Sequence, residues 1–393
     1  MKLNGSDIIA EVLIEQGVDT IFGYPGGAVL NIYDALYKYR DKIHHILTAH
    51  EQGASHAADG YARATGKTGV VIATSGPGVT GIAKAYMDSI PMVAITGNVG
   101  TSYIGKDAFQ EVYITGITMP ITKHNFFVSD IKELAPTLRE AFKIANSGRK
   151  GPVLVDIPKD VTAAITEYEK AATEVIIDNT VINEDEVKKA AALINKAKRP
   201  VIEIGGGVVS SEASDLVRML VNKTGAPCCH TLMAAGVLGY SEKLNYGLVG
   251  MHGSFVTNKA IDEADVLVAI GTRFSDRVAL NTNRFAHKAK VIQIDIDLSE
   301  IDKNVKVDYA LVGDVKTIVM DLLHYVKQSD RTDWLKTLDE YKNSDYHPVD
   351  SDKFITPHQL IRAICENVPK DTVYVTDVGQ HQMWAAQYLE HTD

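Results

Sequence analysis

Gly69-Val-Val-Ile-Ala-Thr-Ser-Gly-Pro-Gly78 is the most informative run in the chain. Gly69–Thr74 is almost continuously β-branched, with no polar alternation, so a strand built from it has no face to give to water. Strands of that kind lie in parallel sheets covered on both sides. The Ser-Gly-Pro-Gly that follows is a tight turn. Val79-Thr-Gly-Ile-Ala83 then opens a helical pattern. A glycine-rich turn between strand and helix can also receive an anion or a cofactor at the helix N-terminus.

The same unit recurs in both directions. Pro91–Thr96, Pro152–Ile157, Pro200–Ile204, Asp265–Ile270, Lys290–Ile296 and Thr372–Thr376 are further apolar runs, most of them followed by a helical stretch. Strands alternating with helices predict an α/β protein of successive parallel-sheet domains. With 393 residues the chain has room for two or three domains. The expected boundaries are 1–165, 190–325 and 356–393. The polar stretch 168–190 reads as a linker plus entry helix and 325–355 as a second linker, and the third unit reaches only its first strand by Asp393.

Composition excludes several classes. A net charge of -10 argues against a nucleic-acid partner. No apolar run approaches the roughly 18 residues of a membrane span, and the N-terminus lacks the apolar core of a secretory signal. Cys228, Cys229 and Cys365 make neither a disulfide framework nor a cysteine zinc site, which points to a reducing, cytoplasmic setting.

Further turns and charges suggest chemistry. Phe22-Gly-Tyr-Pro-Gly-Gly-Ala28 is a second tight turn. Glu51, read alone, is a first-turn helix acid favoured by the dipole. It opens a run of small residues against which a cofactor could lie. His50 and His56 are not at metal-ligand spacing. Gly205-Gly-Gly207 follows a strand but lacks the last glycine of a dinucleotide fingerprint, so a nicotinamide enzyme is disfavoured. Gly250-Met-His-Gly253, Gly271-Thr-Arg-Phe-Ser-Asp-Arg277 and Ile294-Asp-Ile-Asp297 each fall at or after a strand end, where open α/β sheets bind ligands. Arg273 and Arg277 suit phosphate oxygens; a surface ion pair is the other reading.

Taken in order, GYPGGA, TAHEQGASHAADGYARATG, TSGPG, YMDSIP, DAFQE, ITKHN, GPVLVDIPKDV, GMHG, RFSDRV, DIDLSEI and VTDVGQHQMWAAQ resemble the catalytic large subunit of acetohydroxyacid synthase, a thiamine-diphosphate enzyme. The resemblance runs over the whole chain. It implies pyrimidine-binding, FAD-binding and diphosphate-binding domains in that order, with thiamine diphosphate, Mg²⁺ and FAD as cofactors. Glu51 matches the glutamate on the cofactor's aminopyrimidine, where a carboxylate favours the imino tautomer that takes the reactive proton. Gly26, Gly27 and Ala28 match the turn beside the reacting centre, and Phe109, Gln110 and Lys123 match residues near cofactor and substrate. The FAD contacts carried over are Arg149, Gly205, Gly206, Thr231, Leu232, Met251, His252, Gly253, Gly271, Arg273, Arg277, Val278, Asp295, Ile296, Glu300, Ile301 and Asp314. Gly379, Gln380 and His381 match the first diphosphate loop.

The implied reaction decarboxylates pyruvate and joins the two-carbon unit to pyruvate or 2-ketobutyrate. The implied assembly is a homodimer with a small regulatory subunit. Two departures from the family stand out. About four residues that normally follow the Gly-Pro-Gly turn are missing before Val79, roughly one helical turn. They would have capped the helix or faced the cofactor. No GDG occurs, so no metal ligands are expected within the chain, and by itself it is expected not to turn over pyruvate. A catabolic acetolactate synthase or another thiamine-dependent carboligase, and a non-catalytic FAD-binding fragment, remain as alternatives.

Overall fold

A computed structural model describes residues 1–76, 78–172, 180–181 and 183–390. They form two compact units, Met1–Ile177 and Asp178–Asp393.

In the first unit a short ribbon pairs β1 (Lys2–Asn4) with β8 (Ile165–Glu167). The sheet proper contains β2 (Thr20–Gly23), β3 (His44–Leu47), β4 (Gly69–Ala73), β5 (Met92–Asn98), β6 (His124–Phe127) and β7 (Pro152–Pro158). Its order is β3-β2-β4-β5-β7-β6, parallel throughout. β4, β5 and β7 are buried at every residue, which is why they read as unbroken apolar runs. β3 lies at an edge, is largely exposed, and starts with two histidines, so it carries no such signal. The helices of this unit include α1 (Gly5–Glu15), α2 (Leu30–Lys38), α3 (Glu51–Thr65) and α4 (Val79–Asp88).

The second unit repeats the plan. Its sheet contains β9 (Pro200–Ile204), β10 (Cys228–His230), β11 (Asn245–Leu248), β12 (Val266–Ile270), β13 (Lys290–Asp295) and β14 (Tyr309–Val312). The order β11-β10-β9-β12-β13-β14 is again parallel. Chain order reverses between β2 and β4 in the first sheet and between β9 and β12 in the second. In open α/β sheets the crevice at the carboxyl ends of such a pair receives ligands.

Three expectations fail. Thr372–Thr376 forms no strand: Val373 and Val375 are exposed, and no strand is hydrogen-bonded alongside them among the described residues. A lone parallel strand has nothing to satisfy its backbone. Residues 325–355 are not simply a linker. They contain the helix Thr332–Ser344, whose Trp334 and Leu338 lie i and i+4 on one face and are buried in the second unit's core. Trp334 Nε1 also donates to Pro200 O at 3.2 Å. Of the linker and entry helix expected over 168–190, the helix is present from Glu184 to Lys196, but the linker starts later than expected: Tyr168 is buried in the first unit, with its hydroxyl on Glu15. Residues 173–179 and 182 of that stretch lie outside the described residues.

Candidate functional site

α3 begins at Glu51, immediately past the edge strand β3. His50 is its N-cap, with Nδ1 accepting from the Gln52 N–H at 3.0 Å. Glu51 therefore sits in the first turn, where the free N–H groups favour an anion, and its side chain keeps 16% of its surface exposed. α3 and α4 pack closely because α4 carries a glycine, Gly81, where they meet. A Cβ on Gly81 would strike the side chain of Ser55, at 2.6 Å from its Cβ. Asp59, 1% exposed, ties the two helices: its Oδ2 accepts from Arg63 Nε at 3.1 Å and Lys84 Nζ at 2.6 Å.

Two glycine turns meet beside Glu51 at the switch point. Gly26 follows β2 and lies against Thr74, which follows β4; a Cβ there would come within 2.7 Å of the threonine side chain. Gly27 is open. The helix after the second turn starts directly at Val79, with Gly78 as N-cap and no side-chain cap. A helix thus follows this turn directly, without a side-chain cap. Pro77 lies outside the described residues. Next to this turn, Gly76 faces Val112; a Cβ on it would lie 3.4 Å from the valine side chain. Val112 ends the loop that carries Phe109, 87% exposed, and Gln110, whose φ is 60°. The carboxylate of Glu111 holds that loop by accepting from the Gly105 and Ala108 N–H groups.

Lys123 does not join this group. It precedes β6, at the amino edge of the sheet, and its Nζ donates to the carbonyls of Ile144 and Ser147 at the end of the helix Ile131–Asn146. Burial pulls its ammonium down to about 8. A cation that does stand at the carboxyl edge is Lys159, which follows β7 directly. Its place is legible from chain direction, since it follows the apolar run Pro152–Ile157.

In the second unit all six strands deliver expected residues at their carboxyl ends: Gly205 and Gly206 after β9, Thr231 and Leu232 after β10, and Met251, His252 and Gly253 after β11. Gly271 and Arg273 follow β12, Ile296 follows β13, whose last residue is Asp295, and Asp314 follows β14. Backbone meets backbone at the switch point. Gly207 N donates to Gly271 O at 3.0 Å, and a Cβ on Gly271, whose φ is +60°, would lie 2.6 Å from Gly207 Cα. Met251 N donates to Arg277 O at 2.8 Å, lacing the β11 loop to the turn that runs through Arg277 and Val278. Arg277 is exposed and 3.1 Å from Asp276. Leu232, Met251 and Ile296 leave large apolar surfaces exposed along the same edge.

Other expected contacts are already engaged. Asp314 caps the helix Val315–Tyr325 through the Lys316 and Thr317 N–H groups and accepts from Ser211 Oγ at 2.8 Å. Glu300 is buried, with Lys303 Nζ at 3.0 Å; Ile301 follows it. Arg149 belongs to the first unit, where its Nε donates to Ser89 Oγ at 2.8 Å. Gly379 precedes the helix Gln380–Tyr388, which opens with Gln380 and the exposed His381. No cluster of three His, Cys, Asp or Glu that could hold a metal ion occurs among the described residues. No helix among them is long and apolar enough to cross a membrane.

Glycine turns at paired switch points, one beside a helix-terminal carboxylate, define a class. Residues 3–117 match the family description "Thiamine pyrophosphate enzyme, N-terminal TPP binding domain", and residues 187–322 match "Thiamine pyrophosphate enzyme, central domain". The acetolactate synthase of Mycobacterium leprae is 47% identical over 99% of this chain and 65% of its own length. A probable acetolactate synthase large subunit of Methanocaldococcus jannaschii is 46% identical over 99% of this chain and 69% of its own length. The acetolactate synthase isozyme 2 large subunit of Escherichia coli K12 is 44% identical over 99% and 71%. The chain belongs to the acetolactate synthase large-subunit family. It spans about two thirds of the length of these relatives.

Proposed function

We propose that the protein is an acetolactate synthase, decarboxylating pyruvate and transferring the two-carbon unit to pyruvate or 2-ketobutyrate. Residues 1–165 would hold the aminopyrimidine of thiamine diphosphate, residues 190–325 would hold FAD, and residues 356–393 would begin the diphosphate-binding part. One observation carries the reading: the partly exposed Glu51 carboxylate stands at a helix N-terminus beside the glycine turns of a parallel-sheet switch point.

Thiamine diphosphate, when bound, supplies the carbanion equivalent that carbon–carbon cleavage at a 2-ketoacid needs. The residues of this chain do the rest. Glu51 would bond the ring nitrogen and hold a proton there. The open backbone at Gly27 leaves room for a flat ring to approach. Phe109 and Gln110, kept in place by Glu111, would orient the ketoacid. Lys159, exposed at the carboxyl edge, would attract the ketoacid carboxylate.

The second crevice fits a flavin nucleotide. The Gly205–Gly271 crossing leaves backbone where side chains would block a ligand, Arg273 and Arg277 offer cations for a diphosphate, and the apolar fringe suits a fused ring. Gly379, Gln380 and His381 would contact the diphosphate of the thiamine cofactor, with Mg²⁺ held outside these residues. A homodimer, a small regulatory subunit and a cytoplasmic location belong to the same reading; three unbridged cysteines accord with the last.

The test supplies purified protein with thiamine diphosphate, Mg²⁺, FAD and pyruvate. Binding of each cofactor is followed by fluorescence, and acetolactate and CO₂ are measured. Saturable binding of both cofactors supports the reading. Failure to bind either one overturns it.

A further inference from the structure

Beneath the second crevice lies a buried polar group that the proposed function does not use. Strand register places Cys229, Glu203, Ala269 and Gln293 in one row across β10, β9, β12 and β13. Residues in one cross-strand row share a face. The Ala269 methyl is short, and the longer side chains on either side of it reach the same residue. Glu203 Oε1 accepts from Thr272 Oγ1 at 2.7 Å, and Gln293 Nε2 donates to Thr272 O at 3.2 Å. Glu203 and Gln293 are 0% exposed and Thr272 is 4% exposed. Glu203 Oε2 and Gln293 Oε1 have no partner among the described residues.

This group sits one pleat below the crevice floor. Two residues further along the same face come Gly205 and Gly271, the glycines of the backbone crossing. Gly271 has a left-handed φ and no room for a Cβ, so no side chain of its own can anchor the turn. The anchor is Thr272, gripped from below through both its hydroxyl and its carbonyl. Beyond it, Arg273 O accepts from Asn304 Nδ2 at 3.1 Å, and Phe274 is buried.

We propose that Glu203 is a positioning residue for the flavin: acting through Thr272, and together with Gln293, it holds the Gly271–Arg273 turn in the shape that receives the ligand. The proposal rests on the flavin reading above. A buried carboxyl with one hydroxyl donor and no bonded cation is stable there only as the neutral acid. Burial accordingly pushes it up to about 7. Cys229, the titratable neighbour in the same row, has its thiol pushed up by the same burial and stays neutral. Ionised Glu203 would strain the bracket and loosen the turn.

FAD itself is the probe, titrated against the purified protein by quenching of flavin fluorescence at pH 6.0 and 8.5. Wild-type affinity is expected to fall about tenfold or more between those values, since only the neutral fraction is competent. Glu203→Gln, neutral at both, is expected to change less than about threefold. Glu203→Leu is expected to bind weakly at both, and if it fails to fold, Thr272→Val compared with Thr272→Ser replaces it. An equal fall in wild type and Glu203→Gln overturns the proposal and leaves the flavin reading intact. No binding by wild type at either pH overturns the flavin reading. The bracket is then judged by hydrogen exchange at the Gly271 to Arg273 amides. Opening in Glu203→Leu but not Glu203→Gln supports it; equal protection in all three proteins overturns it.

Discussion

At the first switch point the crossing turns touch through a side chain, Gly26 against Thr74; at the second, Gly205 and Gly207 lie on the backbone of Gly271. The carboxylates differ in the same way. Glu51 stands at the mouth of its crevice on a helix terminus, open to a ligand. Glu203 lies under the floor of its crevice, sealed from water and bonded to the turn above. On the proposed readings, one sheet would use its acid to meet the ligand and the other to shape the place where the ligand goes. The topology is shared, so the chemistry resides in which pleat or turn carries the acid.

The sharpest break in that comparison is Glu51→Gln. It is expected to weaken thiamine diphosphate binding by about tenfold or more, with an unchanged melting temperature. An unaltered affinity would remove Glu51 from the site. Gly271→Ala tests the backbone crossing. With a left-handed φ and a contact at 2.6 Å, it is expected to cost about 3 kcal/mol in urea unfolding. Gly27→Ala, with nothing nearby, is expected to cost less than about 0.5 kcal/mol.

The buried acid makes a signed prediction. Glu203 is raised from an ordinary 4.5 to about 7, so the folded state holds the proton more tightly than the unfolded chain. That stabilisation is complete below pH 4.5 and is lost as pH rises through 7. Wild type should therefore lose up to about 3 kcal/mol between pH 5 and 8.5 relative to Glu203→Gln. Parallel thermal-stability curves would exclude the buried neutral acid. The smallest effect on function belongs to Lys123→Met. It removes bonds to the carbonyls at a helix end, so about 1 kcal/mol of stability should go. Thiamine diphosphate affinity should stay within twofold.

Lys123 and Lys159 show how far the sequence could be read. Lys159 follows the apolar run Pro152–Ile157, so chain direction alone places it at a carboxyl end; Lys123 precedes β6, a short strand with no Val/Ile signal, so its place at the amino edge is not legible. Trp334 and Leu338 teach a lesson about packing: a polar-looking stretch carries few core residues, and the burial of these two shows once the helix is docked.

The sequence alone determined the α/β class, five of the twelve principal strands almost to the residue, and the glycine turns, because continuous Val/Ile runs and glycine clusters are local signals. Gly69–Ala73 and Pro200–Ile204 are such cases. Only the tertiary structure decided the strand order, and with it the two switch points and the face shared by Glu203, Ala269 and Gln293. Those depend on hydrogen bonds between strands far apart in the chain, which no local pattern encodes. It also decided that Thr372–Thr376, apolar and β-branched, is not a strand, since a strand exists only where another lies beside it.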